Sequence, residues 1–152
     1  MLQISFLQRL LSYIQPVLLR REKGTVNPLL ELYLYRNQLQ LATFDALYSD
    51  GDRYQPVIAA IKEMKGKLPS VKKVLVLGTG LGSTVRIINK AGVYPHFTLV
   101  DNDERVLQWA IEFLPPNQSV NVTPVCADAK EFVANCDEQY DLVVIDIFSG
   151  RI

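Results

Sequence analysis

Val74-Leu75-Val76-Leu77-Gly78-Thr79-Gly80-Leu81-Gly82-Ser83 decides how the chain is read. Four consecutive apolar, mostly β-branched or branched residues suit a strand buried on both faces. Three glycines at alternate positions follow at once. They allow a sharp turn and a close approach of ligand to backbone. Ser83–Lys90 then takes helical spacing and stops at Gly92. This is a strand–glycine loop–helix unit that opens a nucleoside-binding sheet. A glycine loop alone is also compatible with a plain tight turn.

Downstream the alternation continues. Phe97–Val100 reads as a second strand and Glu104–Leu114 as a helix stopped by Pro115-Pro116. Val120–Cys126 is a third strand, Ala129–Asn135 a short helix and Leu142–Phe148 a fourth strand. Strands separated by helices imply a parallel sheet with right-handed crossovers. Upstream, Leu2, Phe6, Leu7, Leu10, Leu11 and Ile14 lie at helical spacing, closed by Pro16. Leu29–Tyr35 and Gln38–Thr43 alternate apolar and polar residues around Arg36-Asn37, the pattern of a β-hairpin. Val17–Arg21 is a possible third strand. Ser49–Asp52 reads as a loop, and a helix is expected over Arg53–Lys65 with Pro56 in its first turn. The fold expected is therefore α/β. Residues 71–152 form the first four strands of a truncated Rossmann-like parallel sheet. Residues 1–70 form an N-terminal helix, a small β-hairpin region and a linking helix. A fourth strand left open at the edge suggests a fragment of a longer protein and a homo-oligomer in solution.

Composition narrows the function classes. The 152 residues carry zero net charge, so nothing electrostatic calls for nucleic acid or an anionic membrane. No apolar run reaches the ~18 residues of a membrane span. Two cysteines, Cys126 and Cys136, form no CxxC pair, and with a single histidine no metal site is expected. A reduced cytoplasmic protein with both cysteines as packing residues is the expectation.

Three acids sit where a ligand crevice should be. Asp101 ends the second strand, 23 residues after Gly78. It can accept both hydroxyls of a ribose or cap the following helix, a task equally open to Asn102 or Asp103. Asp128 follows the third strand; it can face an adenine amino group or cap the helix behind it. Asp146 lies near the end of the fourth strand, beside the first. A carboxylate there can act as a general base or neutralise a cationic substrate. An NAD site fits the first two features, but Ser83 stands where the dinucleotide fingerprint has its last small residue, and such a site gives Asp128 no task.

Taken in order, these features resemble the class I S-adenosylmethionine-dependent methyltransferase fold. The upstream hairpin and the Tyr54-Gln55 pair opening a helix make the chain similar to the spermidine synthase family. The resemblance implies that Gly78 and Gly80 belong to the cofactor loop, that Asp101 binds ribose and Asp128 the adenine side, and that Asp146 deprotonates an attacking amine. It also implies that Gln40, Tyr54 and Gln55 lie on the substrate side. The co-substrate would be S-adenosylmethionine or its decarboxylated form, the partner a small-molecule acceptor, and no metal is needed. Where the family's loop usually reads GGGDGG, Leu81 replaces the acid that meets the amine end of the co-substrate. Ser149 and Pro56 replace two further acids. A charged polyamine needs such partners when desolvated, so methyl transfer or another acceptor competes with putrescine aminopropylation. A non-catalytic nucleoside-binding module and an NAD-dependent oxidoreductase half-domain are the remaining readings.

Overall fold

In a computed structural model, residues 2–43 and 47–147 are described. Helix α1 (Phe6–Leu11) starts at Ser5, whose hydroxyl accepts from Gln8 N–H while the Gln8 side chain accepts from Ser5 N–H. That reciprocal cap fixes the helix start. The helix is shorter than the apolar spacing predicts and buries none of its residues. Phe6, Leu7 and Ile14 are 82%, 62% and 78% exposed. It rests on the hairpin turn: Arg36 N–H donates to Ser12 O at 2.7 Å, and Arg9 Nη1 to Asn37 Oδ1 at 2.7 Å.

Four strands, β1 (Val17–Glu22), β2 (Leu30–Tyr35), β3 (Gln38–Thr43) and β4 (Leu47–Ser49), form an antiparallel sheet in that order. The hairpin is therefore part of a larger sheet. β1 is the expected third strand. β4 was not expected, because three residues carry no readable alternation; only its last residue, Ser49, falls in the expected loop. Arg36 and Asn37 take φ of 49° and 60°, the two left-handed residues of a type I′ turn. Leu30, Leu32 and Leu34 point inward, and Glu31, Tyr33 and Tyr35 stay half-exposed.

A turn of 3₁₀ helix (Gly51–Arg53) leads into α2 (Gln55–Glu63), shorter at both ends than expected, with Pro56 in its first turn. Then come β5 (Lys73–Leu77), α3 (Ser83–Lys90), β6 (His96–Asp101), α4 (Glu104–Phe113), α5 (Pro116–Ser119), β7 (Val122–Cys126), α6 (Ala129–Ala134) and β8 (Leu142–Ile145). All pairings in this second sheet are parallel, in the order β7-β6-β5-β8. β8 ends at Ile145, before the expected boundary at Phe148, and Phe148 itself lies outside the described residues. The strand order reverses at β5, with β6 on one side and β8 on the other. A crevice opens at the carboxyl ends of such strands.

One core fills the space between the parallel sheet and α2 and α3, around Val74, Val76, Ile88 and Phe97. A second joins the two sheets: Leu30, Leu32 and Leu41 pack with Leu81, Val106 and Trp109. Arg20 closes its rim, its guanidinium 5.7 Å from the Trp109 ring centroid and 2.9 Å from Glu112. The antiparallel sheet is thus seated on the glycine loop and α4. Among the described residues, no helix is long and apolar enough to cross a membrane.

Candidate functional site

The loop after β5 is shaped by its neighbours as much as by any ligand. Gly78 has φ 85°, and a Cβ there would lie 2.1 Å from the Asp146 carbonyl oxygen. No side chain fits, so the ends of β5 and β8 close on one another. Asp146 N–H donates to Leu77 O at 2.8 Å and Gly78 N–H to Val100 O at 2.9 Å. Gly80 is also left-handed, at φ 52°. Leu81, which stands where the resemblance puts an acid facing the amine end of the co-substrate, is 2% exposed and turned into the core between the sheets. The leucines of β2 and β3 surround it, which explains why this position is apolar here. Ser83 opens α3 with its hydroxyl 2.7 Å from that of Ser49, both buried.

Asp101 stands at the end of β6, where it was expected. Its Oδ2 accepts from Thr79 N–H at 3.0 Å and its Oδ1 from Asp103 N–H at 3.0 Å. Burial pushes its carboxyl above the ordinary carboxylate range, and the Thr79 and Asp103 N–H groups pull the other way. Each oxygen keeps a lone pair for a ligand. The Thr79 hydroxyl in the same loop is buried with no hydrogen-bond partner among the described residues.

Tyr54 and Asp146 are 92 residues apart and are brought together: the phenol donates to Asp146 Oδ1 at 2.7 Å. Burial, and then this bond, push the Tyr54 phenol up to about 12. It therefore stays protonated and is a hydrogen-bond donor to the carboxylate across the physiological range. Gln55 beside it is exposed and donates back to Arg53 O at 3.2 Å. Gln40 donates to Asp50 Oδ1 at 2.7 Å, and Asp50 holds Arg53 at 3.1 Å. These contacts tie Gln40 and Gln55 to the turn before α2, whereas Tyr54 alone of the three reaches an acid of the crevice. Asp128 is exposed and caps α6, its Oδ1 accepting from Lys130 and Glu131 N–H. The capping alternative is thus realised, and among the described residues no such bond engages Oδ2. Ser149 lies outside the described residues.

Asp103 was read only as a possible helix cap, and it does cap α4. Its carboxylate is also fully buried and accepts from Thr25, Val26 and Asn27 N–H, the Thr25 hydroxyl and the Asn27 amide, at 2.8–3.1 Å. Burial opposes its charge, but the hydrogen bonds from Asn27, Thr25 and Val26 outweigh that and hold its pKa down to about 2. The only local signal was the Gly24-Thr25-Val26-Asn27 loop itself. Cys126, expected to pack, is exposed, and both cysteines are free. Among the described residues no group of three His, Cys, Asp or Glu side chains could hold a metal ion.

The model of the spermine/spermidine synthase domain matches residues 51–150. A polyamine aminopropyltransferase of Clostridium botulinum (strain Eklund 17B / Type B) is 33% identical over 82 residues, which cover 51% of this chain and 29% of that protein. A second from Hyperthermus butylicus is 33% identical over 81 residues, covering 50% and 27%. The chain thus matches under a third of the length of these relatives. Among solved structures, a probable spermidine synthase from Corynebacterium glutamicum superposes with a TM-score of 0.69 at 16% identity, covering 88% of this chain and 53% of that one. The spermidine synthase of Thermotoga maritima gives a TM-score of 0.63 at 18% identity, covering 88% and 48%.

Proposed function

Because the chain belongs to the spermine/spermidine synthase domain family, we propose that it forms the nucleoside-binding part of a transferase acting on a small-molecule acceptor. The co-substrate would be S-adenosylmethionine or its decarboxylated form, which supplies a carbon activated by a neighbouring sulfonium. The observation that carries this reading is the placement of two acids around the glycine loop. Asp101, at the end of β6, is bonded to the loop through Thr79 N–H, and Asp146, just past β8, is bonded to Tyr54. Asp101 would accept the ribose hydroxyls with its remaining lone pairs, and the unpartnered Thr79 hydroxyl would be available to the same ligand. Asp128 Oδ2 would meet the adenine side.

Asp146 would take the proton from an acceptor nucleophile or anchor its charge, with Tyr54 orienting the carboxylate. The loop presents no carboxylate at Leu81 for the amine end of a decarboxylated co-substrate, and Pro56 stands where a further acid is expected on the substrate side. An acceptor that does not depend on several carboxylate partners is therefore favoured over a polyamine such as putrescine. The test is calorimetry with S-adenosylmethionine, 5′-methylthioadenosine and NAD. Binding of the sulfur nucleosides but not NAD is expected. Asp101→Ala should weaken that binding about 10- to 150-fold, from the loss of charge-assisted bonds worth roughly 1.5–3 kcal/mol. Unchanged affinity in the folded variant would remove the ribose assignment.

A further inference from the structure

The loop between β1 and β2 belongs to the antiparallel sheet, yet its polar groups converge on an acid of the parallel one. Three successive backbone N–H groups, of Thr25, Val26 and Asn27, point at the Asp103 carboxylate, and two side chains join them. Successive N–H groups of this kind form an anion-binding nest. The contact is closed from the other side as well, since the Thr25 hydroxyl accepts from Glu104 N–H at 2.9 Å. Gly24 makes room: a Cβ on it would lie 2.1 Å from Asp103 Oδ2. The backbone N–H of this same Asp103 donates to Asp101 Oδ1, while Thr79 N–H donates to Asp101 Oδ2. A continuous chain therefore runs from loop 24–27, through residue 103, to Oδ1 of Asp101 and across that carboxylate to the glycine loop at Thr79.

We infer that Asp103 is a positioning residue for the nucleoside site: it converts the seating of the antiparallel sheet into a fixed orientation of the Asp101 carboxylate. This rests on the reading of Asp101 as the ribose acceptor. The physical reason is directional. A carboxylate that must accept two neighbouring hydroxyls has to hold one plane, and Asp101 is held in it by one bond from the glycine loop, at Thr79, and one from residue 103. If residue 103 shifts, the second bond weakens and the plane is free to rotate. Ligand recognition at the parallel sheet then depends on a loop of the other sheet that need not touch the ligand.

The decisive readout is ribose discrimination, because general destabilisation does not alter it. Affinities of the full chain for 5′-methylthioadenosine and its 2′,3′-dideoxy counterpart are measured by calorimetry. Wild type should prefer the ribose form about 10- to 150-fold. Gly24→Ala displaces the Asp103 carboxylate without touching Asp101, and Thr25→Ala removes one donor to it together with the acceptor for Glu104. Each should cut the preference by about 3- to 30-fold while leaving affinity for the dideoxy compound nearly unchanged. Thr25→Ser, which keeps the hydroxyl, should restore the preference. Should Gly24→Ala fail to fold, the Thr25 pair decides alone. Folded variants with full ribose preference, or with both affinities reduced equally, would overturn the inference. A wild-type chain with no ribose preference would instead remove the Asp101 reading, and the inference with it.

Discussion

Replacing Asp103 by asparagine exchanges one carboxylate oxygen for an NH₂ group and should cost the fold more than any other conservative substitution in the site. The carboxylate has donors on both sides: Thr25 N–H, the Thr25 hydroxyl and Arg105 N–H on Oδ1, and Val26 N–H, Asn27 N–H and the Asn27 amide on Oδ2. An amide accepts on one side only. Its favoured orientation keeps the oxygen toward Val26 and Asn27, because the Thr25 hydroxyl can rotate and accept from the new NH₂. Thr25 and Arg105 N–H are then left facing a donor. Each unsatisfied buried N–H costs about 1–3 kcal/mol, so a net loss of about 3 kcal/mol is expected after partial relaxation. At roughly 2–4 °C per kcal/mol for a chain of this size, Tm should fall by about 6–12 °C at pH 7. The pH dependence checks the cause. The Asp103 pKa is depressed to about 2, so its stabilisation is fully present above the unfolded carboxylate value near 4 and is lost as pH falls through about 2. Urea unfolding followed by circular dichroism at several pH values should show the wild-type advantage narrowing across that window. An Asp103→Asn chain as stable as wild type at pH 7, or a gap that persists on acidification, would refute the reasoning.

Tyr54→Phe should leave nucleoside affinity within about twofold, while the rate of transfer falls about tenfold or more, as expected for loss of a group that orients a base. The same variant should remove a phenol that ionises near pH 12 in an absorbance titration. Restoring an acid at position 81 should not create an amine site: Leu81→Asp puts a charge into the core between the sheets, and urea unfolding should show a loss of several kcal/mol. A stable Leu81→Asp chain that binds decarboxylated S-adenosylmethionine more tightly than wild type would show that this side chain turns to the crevice. On assembly, the exposed apolar face of α1 and the edge of β8, where Val143 and Ile145 are 47% and 71% exposed, lead us to expect a dimer or larger oligomer. Light scattering at micromolar concentration tests it. Loss of the oligomer in Leu7→Glu and Leu11→Glu would put the contact at α1, insensitivity would move it to the sheet edge, and a monomeric wild type would refute it.

Much of the second sheet was legible because its signals are local. β5 buries both faces, so it leaves the unbroken run Val74–Leu77. α3 ends against Gly92, and α4 ends before Pro115-Pro116. The hairpin was legible for the same reason, since Arg36-Asn37 needs left-handed backbone that few pairs accept. What escaped was too short to carry a period. β4 has three residues and α5 four. The first helix was overextended because Leu2 and Ile14 continue its apolar spacing. Only the Ser5–Gln8 cap and the seat on the hairpin turn reveal how little of it is helix.

The site divides along the same line. Asp101 and Asp146 could be placed because the topology of a parallel sheet fixes where strand ends meet, whatever the side chains nearby. Asp128 could be placed too, but its cap to Lys130 and Glu131 is written in the next three residues while any role toward adenine is not. Leu81 and Asp103 show what local reading lacks. Leu81 was judged by what it replaces, yet its surroundings are Leu30, Leu32 and Leu41, contributed by another sheet. Asp103 takes all but one of its side-chain hydrogen bonds from residues 25–27, more than seventy positions upstream. Nothing in Asp101-Asn102-Asp103 distinguishes the acid proposed to meet a ligand from the acid proposed to hold that carboxylate in place. That distinction exists only once the two sheets are docked, and the docking loop leaves a single mark in the sequence, the glycine at position 24.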